Sequence, residues 1–309
     1  MSGNANENTH GNKHGSGQEN AVAVIGFGQM GARLAEAFLA AGYATTVWNR
    51  TAAKADPLVA RGAVRAATVA EAVEAAQLVV VCLPDYDTVR GVLAPVAASL
   101  RGRVLVNLTS GTPEEGRTMA DRAAGFGAAA YLDGAAMSGT RLVGRPEALF
   151  VFSGSPDAFA AHRTALAALG NSVHLGAEPG LAAVYDTALF GLAWGALAGF
   201  YHAVALTGAD GVDPVAFAEV AAGHMPFVAS LMTDHARQIA RGSYPDDDGT
   251  VEVHAAAMDH LVATSRTAGV RTDVPDLAAT LLARAAAAGH GADGIASVVE
   301  TLREGAGPV

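Results

Sequence analysis

The order of residues between Val22 and Lys54 constrains this chain more than any other stretch. A short apolar run leads into Gly26-Phe27-Gly28-Gln29-Met30-Gly31, then into the alanine-rich ARLAEAFLAAG. A second apolar run, Ala44 to Trp48, ends in Asn49-Arg50-Thr51, with Lys54 one helical turn further on. Strand, glycine turn, helix and strand in that order make a dinucleotide-binding βαβ unit, because the glycines sit where the motif requires them. Gly26 permits the tight turn, Gly28 lets the backbone approach a pyrophosphate, and Gly31 lets helix and strand pack closely. Phe27, Gln29 and Met30 complete the turn, and the free N–H groups at the head of the helix suit the phosphates.

The tip of the second strand decides between the two nicotinamide cofactors. An acid there binds a ribose 2′-hydroxyl and would repel a 2′-phosphate. This chain has no acid at that point; it has Asn49, Arg50, Thr51 and Lys54. A guanidinium, a hydroxyl and an ammonium around one point suit a phosphate dianion, so NADPH is the expected cofactor.

With 309 residues the chain is long enough for two domains, and 51% apolar against 16% charged residues belongs to a globular protein with large internal or intersubunit surfaces. The formal net charge of −10 argues against nucleic acid and anionic membranes as partners. Cys82 is the one cysteine, within the apolar run LVVVC, which excludes a disulfide framework and points to a reducing, cytoplasmic setting. Residues 1–20 hold no apolar side chain larger than that of Ala5 after Met1 and read as a disordered leader, without the apolar core of a secretory signal.

Beyond the first unit, apolar runs at Leu78–Cys82, Val104–Leu108, Ala129–Leu132 and Ala148–Ser153 alternate with helical segments. The helix starts are marked by Thr68, Asp85, Thr112 and Ser155. This alternation predicts an α/β Rossmann domain over 21–178, a doubly wound, mostly parallel sheet with helices on both faces. Ligand binds at the carboxyl ends of such strands. The loops there are Leu83-Pro84-Asp85, Leu108-Thr109-Ser110-Gly111 and Ala136-Met137-Ser138-Gly139-Thr140; Leu83 and Thr109 are candidates for cofactor contact and Ser110, Met137 and Ser138 for substrate contact.

Everything after Pro179 reads as helix, giving a second domain over 179–309. Gly180 to Ala209 has one ionised side chain, Asp186. The stretch is long enough for a membrane span, but it is mostly Ala and Gly, carries Asp186 and His202, and has no Lys or Arg at its flanks. A helix apolar all round in a soluble protein is buried on every side. The later helices, Pro214–Arg241, Val251–Ala268, Asp276–Ala288 and Asp293–Arg303, are too few to enclose it, which points to an intertwined homodimer. Asp186, Phe190 and Trp194 share one side of the helix with Leu197 and Tyr201, so a lone carboxylate faces an aromatic-lined space and suits a protonated imine. His224, Met225 and Phe227 lie in a Pro-containing break. His254 and His260 do not share a helix face, and no histidine–acid spacing suggests a metal.

From Ala21 to Arg303 the chain resembles the NADPH-dependent imine reductases, a branch of the β-hydroxyacid dehydrogenase superfamily. The resemblance is carried by Asn49-Arg50-Thr51, VCLPDYDTVRGVL, VNLTSGTPEE, LDGAAMSGT, GRPEALFVFSGS, PGLAAVYDTALFGLAWG, ARQIARGSYP and AAGHGADGIASVVETLR. It implies a Rossmann domain, a long interdomain helix over 179–209 and a helical C-terminal domain exchanged between two subunits. The active site then lies between one subunit's first domain and the other's second. The parent hydroxyacid enzymes use a lysine as proton shuttle, yet this chain has only Lys13 and Lys54. Asp186 stands where imine reductases carry Asp or Tyr, and Ser138-Gly139 retains the substrate loop, with Thr140 in place of the second glycine. Members that join a ketone to an amine tend to have Asn, Asp and Tyr where this chain has Ser110, Asp186 and Trp194. The implied activity is reduction of cyclic imines or iminium ions, with (R)-amines favoured and intermolecular reductive amination disfavoured. The rival readings are a β-hydroxyacid or aldehyde reductase and a non-catalytic NADPH-binding dimer.

Overall fold

A computed structural model of the chain describes residues 20–303, so all but the last residue of the expected leader lies outside the described residues. The first apolar run is strand β1 (Ala21–Ile25), buried along its whole length, and the glycine turn leads into helix α1 (Gln29–Ala40). Strand β2 (Ala44–Trp48) pairs with β1 in parallel, Ala21 opposite Ala44 and Ile25 opposite Trp48. Helix α2 (Asp56–Val59), strand β3 (Val64–Arg65), helix α3 (Val69–Glu74), strand β4 (Leu78–Val81), helix α4 (Tyr86–Leu93) and strand β5 (Val104–Asn107) follow. Then come helix α5 (Pro113–Gly125), strand β6 (Ala130–Ala136), strand β7 (Leu149–Gly154), helices α6 (Pro156–Ala161) and α7 (Arg163–Ala167), and strand β8 (Asn171–His174).

The strands form one eight-stranded sheet in the order β3-β2-β1-β4-β5-β6-β7-β8. Side chains alternate between its faces. Val22, Val24, Val80 and Val106 face a core with Phe38, Phe150 and Phe152, while Ala23, Ile25, Val79 and Val81 face a second core with Tyr86, Leu93, Leu100 and Met119. Strands covered on both faces read as unbroken apolar runs, as β1 and β4 do. The chain order reverses between β1 and β4, and the crevice at their carboxyl ends is where doubly wound sheets bind ligands.

The expected helix starts are capped by the residues that marked them. Thr68, Asp85 and Ser155 accept from the backbone N–H of Glu71, Thr88 and Ala158, and Thr112 forms a reciprocal capping box with Glu115. Such caps contribute about 1 kcal/mol each.

Three features of the sheet differ from the sequence reading. Strand β6 does not stop at Leu132 but continues through Asp133-Gly134, a pair that by itself reads as a turn. Asp133 is satisfied inside the domain, and a Cβ on Gly134 would lie 2.8 Å from the Phe152 ring, so the sheet is too tight there for any other residue. Strand β7 runs antiparallel to β6, because residues 137–148 between them hold only a short 3-10 turn and no crossover helix. The short edge strands β3 and β8 carry too little apolar signal to be read.

The described residues divide into two compact units, one reaching to Gly191 and the other beginning at Leu192. Helix α8 (Leu181–Ala209) belongs to both; helices α9 (Pro214–Arg241), α10 (Val251–Thr267) and α11 (Asp273–Ala285) belong to the second. Pro226 does not break α9, which runs through it, so His224, Met225 and Phe227 are helical. Helix α11 begins three residues earlier than expected, since Pro275 falls in its first turn, where proline is tolerated. Residues 286–290 form a π turn ending around Gly289 at φ 99°, and Ile295–Leu302 is a 3-10 helix instead of the α-helix expected over 293–303.

Val251, Leu282 and Ala285 make a small core of this unit with Met258 and Val298. In α8 only Ala182 and Ala183 are buried, and in α9 no residue is. Both helices are long and apolar enough to cross a membrane, by length and composition.

Candidate functional site

The glycine turn is built as its motif requires. Gly26 has φ 100°, and a Cβ there would lie 2.1 Å from the Cys82 carbonyl oxygen; a Cβ on Gly31 would lie 2.1 Å from the Gly26 carbonyl oxygen. A Cβ on Gly28 would meet no atom of the chain within 4 Å. Gly28 is also the cap of α1, which has no side-chain cap and no acid in its first turn. The turn thus presents backbone N–H groups to open space, where a helix dipole favours an anion. Burial pushes the neighbouring Cys82 thiol up to about 11, as expected of an inert, packed cysteine.

Asn49 links this turn to the next. Its Oδ1 accepts from the Phe27 N–H at 3.0 Å, and its Nδ2 donates to the Thr51 carbonyl at 2.9 Å. Arg50, Thr51 and Lys54 are exposed beyond it. Phe27, Gln29 and Lys54 line one cavity of about 490 Å³ together with Arg33 and Thr140. Arg33 had no distinguishing mark in the sequence; it is one turn into α1 and pairs with Glu36 at 2.6 Å. The cradle therefore suits a dinucleotide carrying an additional phosphate.

At the carboxyl ends of β4 and β5, the Leu83 N–H donates to Thr109 Oγ1 at 3.1 Å, and the Thr109 N–H donates to Asn107 Oδ1 at 3.2 Å. Ser110 is exposed just beyond. The Ser138 hydroxyl accepts from the Leu149 N–H at 2.9 Å and so fixes its loop to β7. Met137 packs against Ala135, Val151 and Ala182, which brings the end of β6 against the start of α8.

Behind these loops lies a polar cluster the sequence reading missed. Asp133 is 1% exposed; the hydroxyls of Tyr86 and Tyr131 each donate to its Oδ1 at 2.7 Å. The Asn107 amide donates to the Tyr131 hydroxyl at 3.3 Å and to Asp133 Oδ1 at 3.5 Å. Burial pushes the Asp133 carboxyl up to about 6; the tyrosine hydrogen bonds work against the rise, and the Asp186 charge adds to it. Burial and the Asp133 charge hold both phenols well above their ordinary value. The available signal was two polar residues, Asn107 and Asp133, set within apolar strand sequences.

Asp186 is half-exposed on α8, one turn beyond the buried Ala182 and close enough for its charge to act on Asp133. Phe190 and Trp194 follow one and two turns along the same helix. In the second unit, His224 and Met225 line an open apolar groove of about 590 Å³ between α8 and α9, with Leu192, Phe200, Phe217 and Met232. Among the described residues no three His, Cys, Asp or Glu side chains gather as a metal site would require.

Residues 21–176 match the NAD binding domain of 6-phosphogluconate dehydrogenase, and residues 178–304 match the C-terminal domain of NADPH-dependent reductive aminase-like proteins. The NADPH-dependent reductive aminase of Aspergillus oryzae is 33% identical over 292 residues, 92% of this chain and 97% of the relative. Among solved structures, an imine reductase from Streptomyces aurantiacus is similar with a TM-score of 0.86 and 37% identity, over 92% of this chain and all of the other. An imine reductase from Aspergillus terreus in complex with NADPH4 and dibenz[c,e]azepine is similar with a TM-score of 0.85 and 36% identity, over 92% and 99% of the two chains.

Proposed function

Because the chain belongs to the family of NADPH-dependent imine reductases and reductive aminases, we propose that it reduces cyclic imines and iminium ions to amines, giving (R)-amines from small cyclic substrates. It is an oxidoreductase of C=N bonds, and NADPH supplies the hydride when bound. Arg50, Thr51 and Lys54 hold the 2′-phosphate, and Asn49 shapes the turn that presents them. The turn from Gly26 through Phe27, Gly28, Gln29 and Met30 to Gly31 takes the pyrophosphate, while Leu83 and Thr109 take the nicotinamide half.

The observation that carries the reading is the position of Asp186. It is the one Asp, Glu, Lys or Arg of the 29-residue helix α8 and lies a turn beyond the contact of Ala182 with the end of β6. With no lysine in the chain besides Lys13 and Lys54, a carboxylate is the group left to meet the imine nitrogen. Asp186 supplies its proton or balances its charge. Ser110, Met137, Ser138, Phe190 and Trp194 recognise the substrate.

A second copy of the chain covers the apolar surfaces of α8 and α9. Leu192 is 49% exposed, Tyr201 54% and Val220 73%, which is far more apolar surface than a monomer in water retains. This exposure supports reading the protein as a homodimer, and we propose a cytoplasmic one without a membrane or nucleic acid partner.

The test is NADPH consumption with a five- or six-membered cyclic imine, beside a 3-hydroxy acid with NADP⁺ and a ketone mixed with an amine. Rapid turnover of the imine, slow turnover of the ketone and amine, and none of the hydroxy acid are expected. Oxidation of the hydroxy acid would favour the parent superfamily's chemistry, and cofactor binding without any turnover would favour a non-catalytic dimer.

A further inference from the structure

We propose that Asn107 and Asp133 are positioning residues, a buried hydrogen-bonded clamp that fixes the loops after β4 and β5 against each other and so sets the nicotinamide half of the cofactor site. This rests on Leu83 and Thr109 being cofactor contacts.

The clamp is continuous. The Leu83 N–H is held by the Thr109 hydroxyl, the Thr109 N–H by Asn107 Oδ1, and the Asn107 amide by Tyr131 and Asp133. A second arm reaches the same loop from its far side. Tyr86 is the first residue of α4, three after Leu83, and its hydroxyl donates to the same Asp133 oxygen. Strand ends in a parallel sheet hold each other by backbone bonds only as far as the ladder runs, and the β4–β5 ladder ends at Val81 opposite Asn107. Beyond that point, apart from the Leu108 N–H donating to the Val81 carbonyl, the two loops are joined through side chains.

The surrounding backbone is fitted to this cluster. A Cβ on Gly111 would lie 2.5 Å from the Tyr86 ring, and a Cβ on Gly116 would lie 2.8 Å from Asp133 Oδ2. The loop after β5 and helix α5 therefore close down on Tyr86 and Asp133. Buried hydrogen-bond networks of this kind are rigid only when every member is satisfied, so removing one link loosens the loops at its end.

The neighbouring half of the site gives the internal standard. The 2′-phosphate and pyrophosphate contacts belong to β1, β2 and α1, to which the side chains of the clamp make no hydrogen bond, although Leu83 packs against Gly26. Adenosine 2′,5′-bisphosphate carries that half of the cofactor alone. In Asn107→Val, the Kd for NADPH is expected to rise roughly tenfold, the equivalent of one lost hydrogen bond of about 1.4 kcal/mol, while the Kd for adenosine 2′,5′-bisphosphate stays unchanged. Tyr131→Phe, which removes one hydroxyl and keeps the ring, moves NADPH the same way by a smaller factor and keeps the test open if Asn107→Val does not fold. Leu169→Ala, a buried truncation on the β8 side of the sheet, lowers the melting temperature without altering either Kd.

Equal losses for both probes in Asn107→Val and Tyr131→Phe, or no loss for either, would overturn the clamp. Failure of the unmodified chain to bind NADPH overturns the cofactor reading itself and the clamp with it.

Discussion

Replacing Asp133 by Asn removes a carboxyl whose proton affinity differs between the folded and unfolded chain, so the difference in stability between variant and parent depends on pH in a calculable way. The carboxyl titrates at about 6 in the fold and at 3.8 ordinarily. The native state therefore holds the proton more tightly, and between those two values it binds more protons than the unfolded chain. Stability from this group is fully present below about pH 4, falls as pH rises toward 6, and levels off above. At 1.36 kcal/mol for each tenfold change in proton affinity the full loss is about 3 kcal/mol. Asp133 is almost wholly buried, so solvent screening does not reduce it.

The groups facing Asp133 are Tyr86 from α4, Tyr131 from its own strand, Asn107 from β5 and, by charge, Asp186 from α8. Of these only Asp186 acts by charge alone, and it acts to raise Asp133. Asp85, Glu115 and Glu178 are held below their ordinary values and give the opposite slope, at lower pH. They are common to both proteins and cancel on subtraction. Urea unfolding of each at a series of pH values is expected to show Asp133→Asn gaining about 2 to 3 kcal/mol on the parent between pH 4 and pH 7. A difference constant across that range would refute the reasoning, because a carboxyl with an ordinary proton affinity in the fold gives no such slope.

Arg50→Asp is expected to weaken NADPH binding by about 2 to 4 kcal/mol and NADH binding far less; equal losses in a fluorescence titration would remove Arg50 as the discriminator. Asp186→Asn should slow turnover of a neutral cyclic imine by about 10² to 10⁴ with NADPH affinity retained. A permanently charged N-alkyl iminium, which needs no proton, keeps most of its rate if Asp186 is a donor and loses it if Asp186 balances charge; a change below tenfold on both makes Asp186 structural. Sedimentation at nanomolar protein is expected to show a dimer, since an interface built on α8 and α9 belongs to the large apolar class, and a compact active monomer would contradict it.

The parts of the fold that were legible in the sequence are those in which one short stretch fixes its own conformation. β1, the glycine turn and α1 are of this kind, as are the four capped helix starts and the bounds of α9. The extent of β6 was not, because Asp133-Gly134 has the local chemistry of a turn and becomes strand only through Tyr86 and the Phe152 ring, which arrive from elsewhere in the chain. Pro226 misled in the same way: proline interrupts one backbone hydrogen bond, and a 28-residue helix absorbs the loss. The conformation of the glycine turn could be read from residue types alone. The Asn107–Asp133 cluster could not, since its four members are spread over 48 residues from Tyr86 to Asp133 and no spacing rule joins them.

The double attachment of Asn49 bears on any attempt to convert this enzyme to NADH. The obvious design places an acid at the tip of β2 to greet a free ribose hydroxyl. Aspartate at position 49 would still accept from Phe27, but its second oxygen would replace the amide nitrogen that now donates to the Thr51 carbonyl from 2.9 Å. Two acceptors would then oppose each other at hydrogen-bonding distance, at a cost on the order of 1 to 3 kcal/mol, and the turn that carries Arg50 and Thr51 would be pushed off the glycine turn it is tied to. Redesign of cofactor preference has to leave this amide in place and begin one residue later, at Arg50, whose side chain carries no part of the scaffold.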